Sequence, residues 1–321
     1  MQGVLHYTLM NERVMLTGGA GFIGSAVIEQ FNELGYDVFV LDNVSFGKRE
    51  LAAVPDSRFF QVDILDQRAT AECVRAIAPV WAIHLAAVHF IPYCNAHPYE
   101  STNINLLGTT NVLDALRDVA SVEKVFFAST AAVYADSLTP VSETAPAIPL
   151  DIYGLTKRIG ERLVHEFHAT TSVPCVIGRL FNAYGPRETN PHLIPEVLRQ
   201  VLEGKQTIEL GNLFTRRDYI HTSDMARAIS KLMACQTGGF DVFNVGSGES
   251  HSAGEIIQFF ERAINHPLIA DVAKDRVRKV DRALLQADIT KIHRATGWTP
   301  QVEIQQGITA LVQNEVSLTS G

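Results

Sequence analysis

Short runs of Val, Ile, Leu and Phe recur through the first 180 residues: Arg13–Leu16, Asp37–Leu41, Arg58–Val62, Val80–Leu85, Lys124–Ala128 and Cys175–Leu180. Between them, Phe22–Leu34, Asp66–Ile77, Pro98–Val119 and Asp151–Thr171 set their apolar residues at helical spacing. Strand and helix alternating in this way predict a parallel sheet covered on both faces. The unbroken apolar character of VFFAS suits a strand buried on both sides. After Leu180 the rhythm changes. Asn182–Leu213 reads as loops around one helix, Pro195–Leu202; Asp241–Val245 reads as a returning strand, and Glu255–Ala263 and Ile289–Thr296 as short helices. The expected class is α/β: a doubly wound parallel sheet followed by a smaller C-terminal lobe, with no internal repeat.

Composition narrows the picture. The length of 321 residues corresponds to about two domains, or to one large domain with a lobe added. With 46% apolar and 19% charged residues, the chain has ample material for a core. Lys plus Arg total 27 against 35 Asp plus Glu, a net charge of −8, so no general attraction to nucleic acid or anionic membranes is expected. An anionic ligand must then be held by a few well-placed donors. No apolar run is long enough for a membrane-spanning helix. The opening MQGVLHYTLMNE lacks the basic start and apolar stretch of a secretory signal. Cys73, Cys94, Cys175 and Cys235 are scattered, as reduced thiols of a cytoplasmic protein are, and offer no zinc-ligand spacing.

The chemistry begins at VMLTGGAGFIGS. Gly19, Gly21 and Gly24 satisfy GxGxxG, and Gly18, Gly21 and Gly24 satisfy the equally spaced GxxGxxG. Between a strand and a helix, such glycines give a tight turn and close backbone approach to a pyrophosphate. Asp42 closes the second strand roughly 20 residues on, where an acid accepts hydrogen bonds from ribose hydroxyls and repels a 2′-phosphate; the alternative is a simple turn cap. Asp63 and Ile64 follow the third strand, at the place for adenine contacts or for a plain turn. Tyr153 and Lys157, four apart on a predicted helix, share one face. An ammonium there is expected to lower the phenol's pKa and make Tyr153 a general base. YxxxK alone is commonly a surface pair. The glycine loop and Ser129–Thr130, at the end of the fifth strand, give it a context, since strand ends in such sheets are where ligands bind.

These residues carry a resemblance. TGGAGFIG, LDN ending at Asn43, HLAA at His84–Ala87, NLLGT at Asn105–Thr109, STAAVY at Ser129–Tyr134, YGLTK, RLFNAYGPR at Arg179–Arg187, RRDYIHTSD at Arg216–Asp224 and GW at Gly297–Trp298 occur in order over most of the chain. The sequence resembles the extended short-chain dehydrogenase/reductases, the nucleotide-sugar epimerase/dehydratase group related to UDP-glucose 4-epimerase. The resemblance implies a Rossmann-type NAD-binding domain at 12–181, with returning segments near 215–246, and a nucleotide-sugar-binding lobe at 182–321. NAD then lies along Gly18, Gly21, Phe22, Ile23 and Gly24, reaches Asp42, Asn43, Asp63 and Ile64, and passes Leu85, Ala86, Ala87 and Asn105. Thr130 bonds the sugar hydroxyl being oxidised, Tyr153 takes its proton, and Lys157 also holds the nicotinamide ribose. Ser129 and His89 line the sugar site. Asn182 and Arg217 meet the diphosphate, a planar guanidinium fork suiting phosphate oxygens. A second arginine is expected about ten residues before Asp288, where spacing selects Arg278 and a looser match Arg276. No metal is expected.

Three departures from the family pattern bear on the reaction. Family dehydratases place acids after the catalytic threonine; Ala131 and Ala132 stand here, and methyl groups move no protons. Family decarboxylases usually carry a glutamate there too. In VHFIPYCNAHP, His89 occupies a position filled by lysine in galactose epimerases, so that His89, Tyr93 and Asn95 line the sugar pocket or merely pack a loop. Glu209–Leu213 reads ELGNL, similar to guanosine-diphosphate sugar enzymes, which leaves the base open. The leading reading is an NAD-dependent nucleotide-sugar epimerase acting at carbon 4. The alternatives are a decarboxylase, dehydratase or 4-keto-sugar reductase of the same family, and more remotely a non-catalytic sensor. A homodimer is expected, its helices corresponding to Pro98–Val119 and Asp151–Thr171 forming a four-helix bundle. Leu106, Leu113, Leu116, Ile159 and Leu163 serve that face or pack against the sheet.

Overall fold

A computed structural model describes residues 12–188, 190–236, 238–273 and 282–319. The N-terminal half runs β1 (Arg13–Thr17), α1 (Phe22–Glu33), β2 (Asp37–Asp42), β3 (Phe59–Gln61), α2 (Gln67–Ile77), β4 (Trp81–His84), α3 (Ile91–Ala96), α4 (Pro98–Thr102), a π-helical stretch (Asn103–Gly108), α5 (Thr109–Arg117), β5 (Lys124–Thr130), α6 (Ile152–Thr171) and β6 (Cys175–Leu180). There follow β7 (Asn182–Tyr184), α7 (Leu193–Leu202), β8 (Thr207–Leu210), β9 (Arg216–His221), α8 (Thr222–Ala234), β10 (Phe240–Val245), β11 (Ser250–Ser252), α9 (Ala253–Ile264), β12 (Ile269–Val272), β13 (Leu284–Leu285), α10 (Thr290–Thr296) and α11 (Ile304–Thr319).

Seven strands form one parallel sheet in the order β3-β2-β1-β4-β5-β6-β10. This is the Rossmann winding, reversing between β1 and β4, and the cleft above that reversal is where such sheets bind ligands. Alternate residues of each strand feed opposite cores. Val14 and Leu16 face α1 and α8, among Val27, Ile28, Phe31, Ile229 and Leu232. Met15, Val125 and Phe127 face α2, α5 and α6, among Val74, Leu113, Leu116, Val164 and Phe167. Every residue of β5 is buried. Its first, Lys124, sends Nζ to the carbonyls of Leu232, Met233 and Cys235, a cation placed against the C-terminal carbonyls of α8.

A third core joins α7, α9 and α11 to β8: Tyr184, Val197, Ile208, Ile256, Phe260 and Ile308 pack there. Beside it β9 pairs with β7, β11 and β13, and β8 with β12.

The chain departs from the expected elements in several places. Pro98–Val119 is not one helix. It widens into the π stretch, where Asn105 reaches back to Val88 and Gly108 lies against Ile64, so close that a Cβ would stand 2.5 Å from Ile64 Cδ1. The stretch from Asn182 to Leu213 holds two strands besides its helix. α3, α8 and α11 lie where no helix was expected. α8 is buried around most of its circumference and rich in Ala, Ser and Thr, which blurs the apolar stripe that marks a surface helix. Of the two roles expected for Leu113 and Leu116, dimer face or packing against the sheet, the structure shows the second, whereas Ile159 and Leu107 are exposed.

Candidate active site

A cavity of about 1170 Å³ opens over the carboxyl ends of β1, β2, β4, β5 and β6 and extends under β7, α7 and β9. One end is made by the glycine loop. Gly18 takes φ +76°, and a Cβ on it would stand 2.7 Å from Ala86 N; one on Gly24 would stand 2.2 Å from Gly18 O. Any side chain at either position would force the loop off β4 or off its own helix. α1 then opens at Gly21 with no side chain capping it.

Asp42 accepts from Ala20 N at 2.9 Å and from Val44 N at 2.8 Å. Its carboxylate thus caps a turn and braces the glycine loop while facing the cavity, and burial raises its pKa. Asp63 accepts from Leu65 N at 2.9 Å, as a turn requires, and from Asn43 Nδ2 at 3.0 Å, and it lines the cavity. Phe22, Ile23, Ile64, Leu85, Ala86 and Ala87 also line the cavity. Asn105 does not. It is buried, and its amide is spent on Val88 N and O and on Thr156 Oγ1, because the π turn aims it at the loop after β4.

At the centre, Thr130 ends β5 and Tyr153 stands in the first turn of α6. The Thr130 hydroxyl accepts from Ala132 N at 3.1 Å and shares the cavity wall with the Tyr153 phenol. Asp151 caps α6, accepting from Gly154 N at 2.7 Å, which fixes the turn that carries Tyr153. Lys157 follows one turn later, its Nζ 4.8 Å from the centre of the Phe127 ring.

The expected depression of the phenol pKa by Lys157 is not what the structure shows. Burial pushes Tyr153 well above its usual value, against the smaller lowering effect of the Thr130 hydroxyl. Burial also brings Lys157 down to about 7. Lys157 is not among the groups that lower the phenol's pKa.

Ser129 lines the cavity, yet its hydroxyl donates to the buried Glu161 at 2.6 Å and is committed there. His89 accepts at Nε2 from Asn190 Nδ2 at 3.2 Å, its ring centre 6.1 Å from that of His192, and burial pushes its pKa down to about 4. Asn95 lines the cavity; Tyr93 instead bonds Glu100 at 2.9 Å.

Asn182 and Arg217 border the far half of the cavity. Asn182 Nδ2 donates to Asp218 O at 3.3 Å, and Arg217 Nη1 to the carbonyls of Arg216 and Arg282 at 2.8 Å. Arg276 and Arg278 lie outside the described residues. Arg282, just beyond them and not anticipated, is buried and lines the cavity, donating to Ala132 O at 2.9 Å and Tyr134 O at 3.1 Å. Ala131 and Ala132 lie beside Thr130 in the same wall. His192, Glu188 and Glu196 also reach the cavity, and nothing in their spacing had marked them. Among the described residues, no group of His, Cys, Asp and Glu is arranged to hold a metal ion, and no helix is long and apolar enough to cross a membrane.

Comparison with known proteins agrees with this geometry. Residues 15–311 match the family model described as GDP-mannose 4,6 dehydratase. A UDP-glucose 4-epimerase of Corynebacterium glutamicum is 33% identical, over 90% of this chain and 91% of its own. The crystal structure of the Thermus thermophilus UDP-glucose 4-epimerase, in complex with NAD, superposes with a TM-score of 0.84 at 32% identity, covering 94% of this chain and 98% of the other. That of the Thermotoga maritima UDP-glucose 4-epimerase, with UDP-glucose, gives 0.88 at 26% identity, covering 96% and 99%.

Proposed function

The chain belongs to the extended short-chain dehydrogenase/reductase family of nucleotide-sugar epimerases and dehydratases, and we propose that it interconverts the C4 epimers of a uridine-diphosphate hexose with Tyr153 as the base. It is an NAD-dependent nucleotide-sugar 4-epimerase. The observation that carries the catalytic assignment is the meeting of Thr130, at the end of β5, with Tyr153 and, one turn on, Lys157 in the wall of a cavity shared with the glycine loop.

The residues suit the cofactor. The uncapped start of α1 offers backbone N–H groups to a pyrophosphate. Asp42, with one backbone N–H on each oxygen, keeps acceptor capacity for ribose hydroxyls. The buried Lys157 ammonium has no carboxylate beside it among the described residues, which suits hydroxyl partners. Gly18 and Gly21–Gly24 would hold the pyrophosphate, Asp42, Asn43, Asp63 and Ile64 the adenosine, and Leu85–Ala87 and Lys157 the nicotinamide side. NAD bound there would supply a reversible hydride acceptor beside C4, and its positive charge would favour the phenolate of Tyr153.

In this reading Thr130 holds the 4-oxygen, and Tyr153 accepts the hydroxyl proton as the carbinol becomes a ketone. The 4-keto sugar turns in the cavity while Arg217 and Asn182 retain the diphosphate. Tyr153 then gives the proton back. Ala131 and Ala132 offer no acid to expel water, and that supports epimerisation over dehydration. The uridine base is taken from the relatives.

The division into a cofactor part, 12–181 with 215–246, and a substrate part, 182–321, accords with the separate core of α7, α9 and α11. A cytoplasmic setting accords with four free cysteines. A homodimer accords with Leu107, Leu155 and Ile159 exposed along the π stretch and α6.

Mass spectrometry and NMR of the product from UDP-galactose test the reaction. The expected result is unchanged mass with inverted C4; a product lighter by water or carbon dioxide overturns it. Tyr153→Phe is expected to lose on the order of 10²–10⁴ in rate.

A further inference from the structure

Beneath the reacting groups lies a buried ion pair that the proposed chemistry does not use. Glu161 stands on α6 one turn beyond Lys157 and two beyond Tyr153, on the same side of the helix. Its side chain is 2% exposed and that of Arg179 is 4% exposed. Glu161 Oε1 accepts from Ser129 Oγ at 2.6 Å and from Arg179 Nε at 2.8 Å. Oε2 accepts from Arg179 Nη2 at 2.9 Å and from Arg158 Nη1 at 2.6 Å.

Ser129 and Arg179 are direct partners across the β5–β6 ladder, and the next pair is Thr130 with Leu180, at the wall of the cavity. One carboxylate on α6 therefore grips both strands one residue before Thr130. Arg179 is held in turn, donating to Glu143 O at 3.0 Å, with its guanidinium 4.8 Å from the centre of the Tyr134 ring.

Burying a carboxylate and a guanidinium costs desolvation, and apolar residues of similar size stabilise a fold at least as well. What the pair supplies that apolar packing does not is direction. Short hydrogen bonds to a charged group set the register of α6 on the sheet more narrowly than contacts between methyl groups do.

We propose that Glu161 is a positioning residue for the epimerisation: by bonding Ser129 and Arg179 together it sets how far the phenol of Tyr153, on α6, stands from the hydroxyl of Thr130, on β5. The proposal rests on the assignment of Tyr153 and Thr130 as the reacting pair. Ser129 is then part of the brace and not a sugar ligand. Loosening the brace moves the Thr130 hydroxyl away from the phenol, whose charged form it favours, and so moves the ionisation of Tyr153 to higher pH.

The test is Ser129→Ala, which removes one hydroxyl and leaves the ion pair whole. Glu161→Gln serves as the stronger variant, read only if it folds, since it leaves a buried guanidinium without its counter-ion. Melting temperature, NAD retained through dialysis, kcat, KM and the pH profile of kcat are measured for each, with Tyr153→Phe alongside. For Ser129→Ala, unchanged melting and NAD content are expected, with KM within about twofold and kcat down about tenfold. The limb of the profile that reports Tyr153 should move to higher pH. Wild-type kcat and pH limb in Ser129→Ala, with Tyr153→Phe inactive, overturn the positioning role alone. Loss of activity in step with loss of melting temperature and NAD also overturns it, since a general structural role predicts that. An active Tyr153→Phe overturns instead the catalytic assignment beneath it.

Discussion

Lys157 carries an amine into a buried position in the cavity wall, and that has a consequence for stability. Burial lowers its pKa from 10.5 to about 7. Between those values the folded chain holds fewer protons than the unfolded chain, so stability rises with pH through this window and is lowest, as far as this group contributes, at pH 7 and below. Lys157→Met is therefore expected to raise the melting temperature of NAD-free protein at pH 7 by a few degrees, a gain that shrinks as pH rises toward 10.5. Calorimetry across that range checks it; a lower melting temperature at pH 7 would show that the lysine's contacts outweigh its desolvation. The same variant should lose NAD on dialysis.

At the scale of an element, α6 does most of the aligning. Its first turn carries Tyr153, its second Lys157 and its third Glu161, and Asp151 holds its start through Gly154 N. Asp151→Ala is expected to cost about 1 kcal/mol of stability by leaving that N–H without its cap. Fraying of the first turn should lower kcat more than KM. Asp151→Asn, which still accepts the bond, should behave like the parent, and urea melts with steady-state kinetics decide between them. The π stretch shows the reverse dependence of an element on its surroundings. Asn103–Gly108 has helical spacing, but the widened turn exists where Asn105 satisfies the backbone of Val88 and Gly108 admits Ile64.

For the molecule as a whole, the open question is what covers the side of α6 turned away from the sheet. Leu107, Leu155 and Ile159 are 51%, 45% and 38% exposed there. On the proposed homodimer, Leu107→Glu with Ile159→Glu is expected to give a monomer in light scattering at micromolar concentration, since charges on a face that pairing would bury lose their hydration. A parent protein that is already monomeric under these conditions removes the dimer reading.

The alternation of strands and helices in the first 180 residues, the place of the dinucleotide loop and the meeting of Thr130, Tyr153 and Lys157 at one cavity were legible from the chain. Each depends on local rules: periodicity, glycine geometry and the four-residue spacing of one helix face. Only the tertiary structure decided what those groups experience. The side chains of Ser129 and Asn105 turned out to serve the frame, because their partners, Glu161 and Val88, are distant in sequence and arrive only with the fold. Likewise the pKa of Tyr153 is raised and not lowered, because the same folding that brings it near Lys157 buries the phenol. Spacing along a chain determines which groups can meet; the dielectric around them, and so their charge, is a property of everything else that packs nearby.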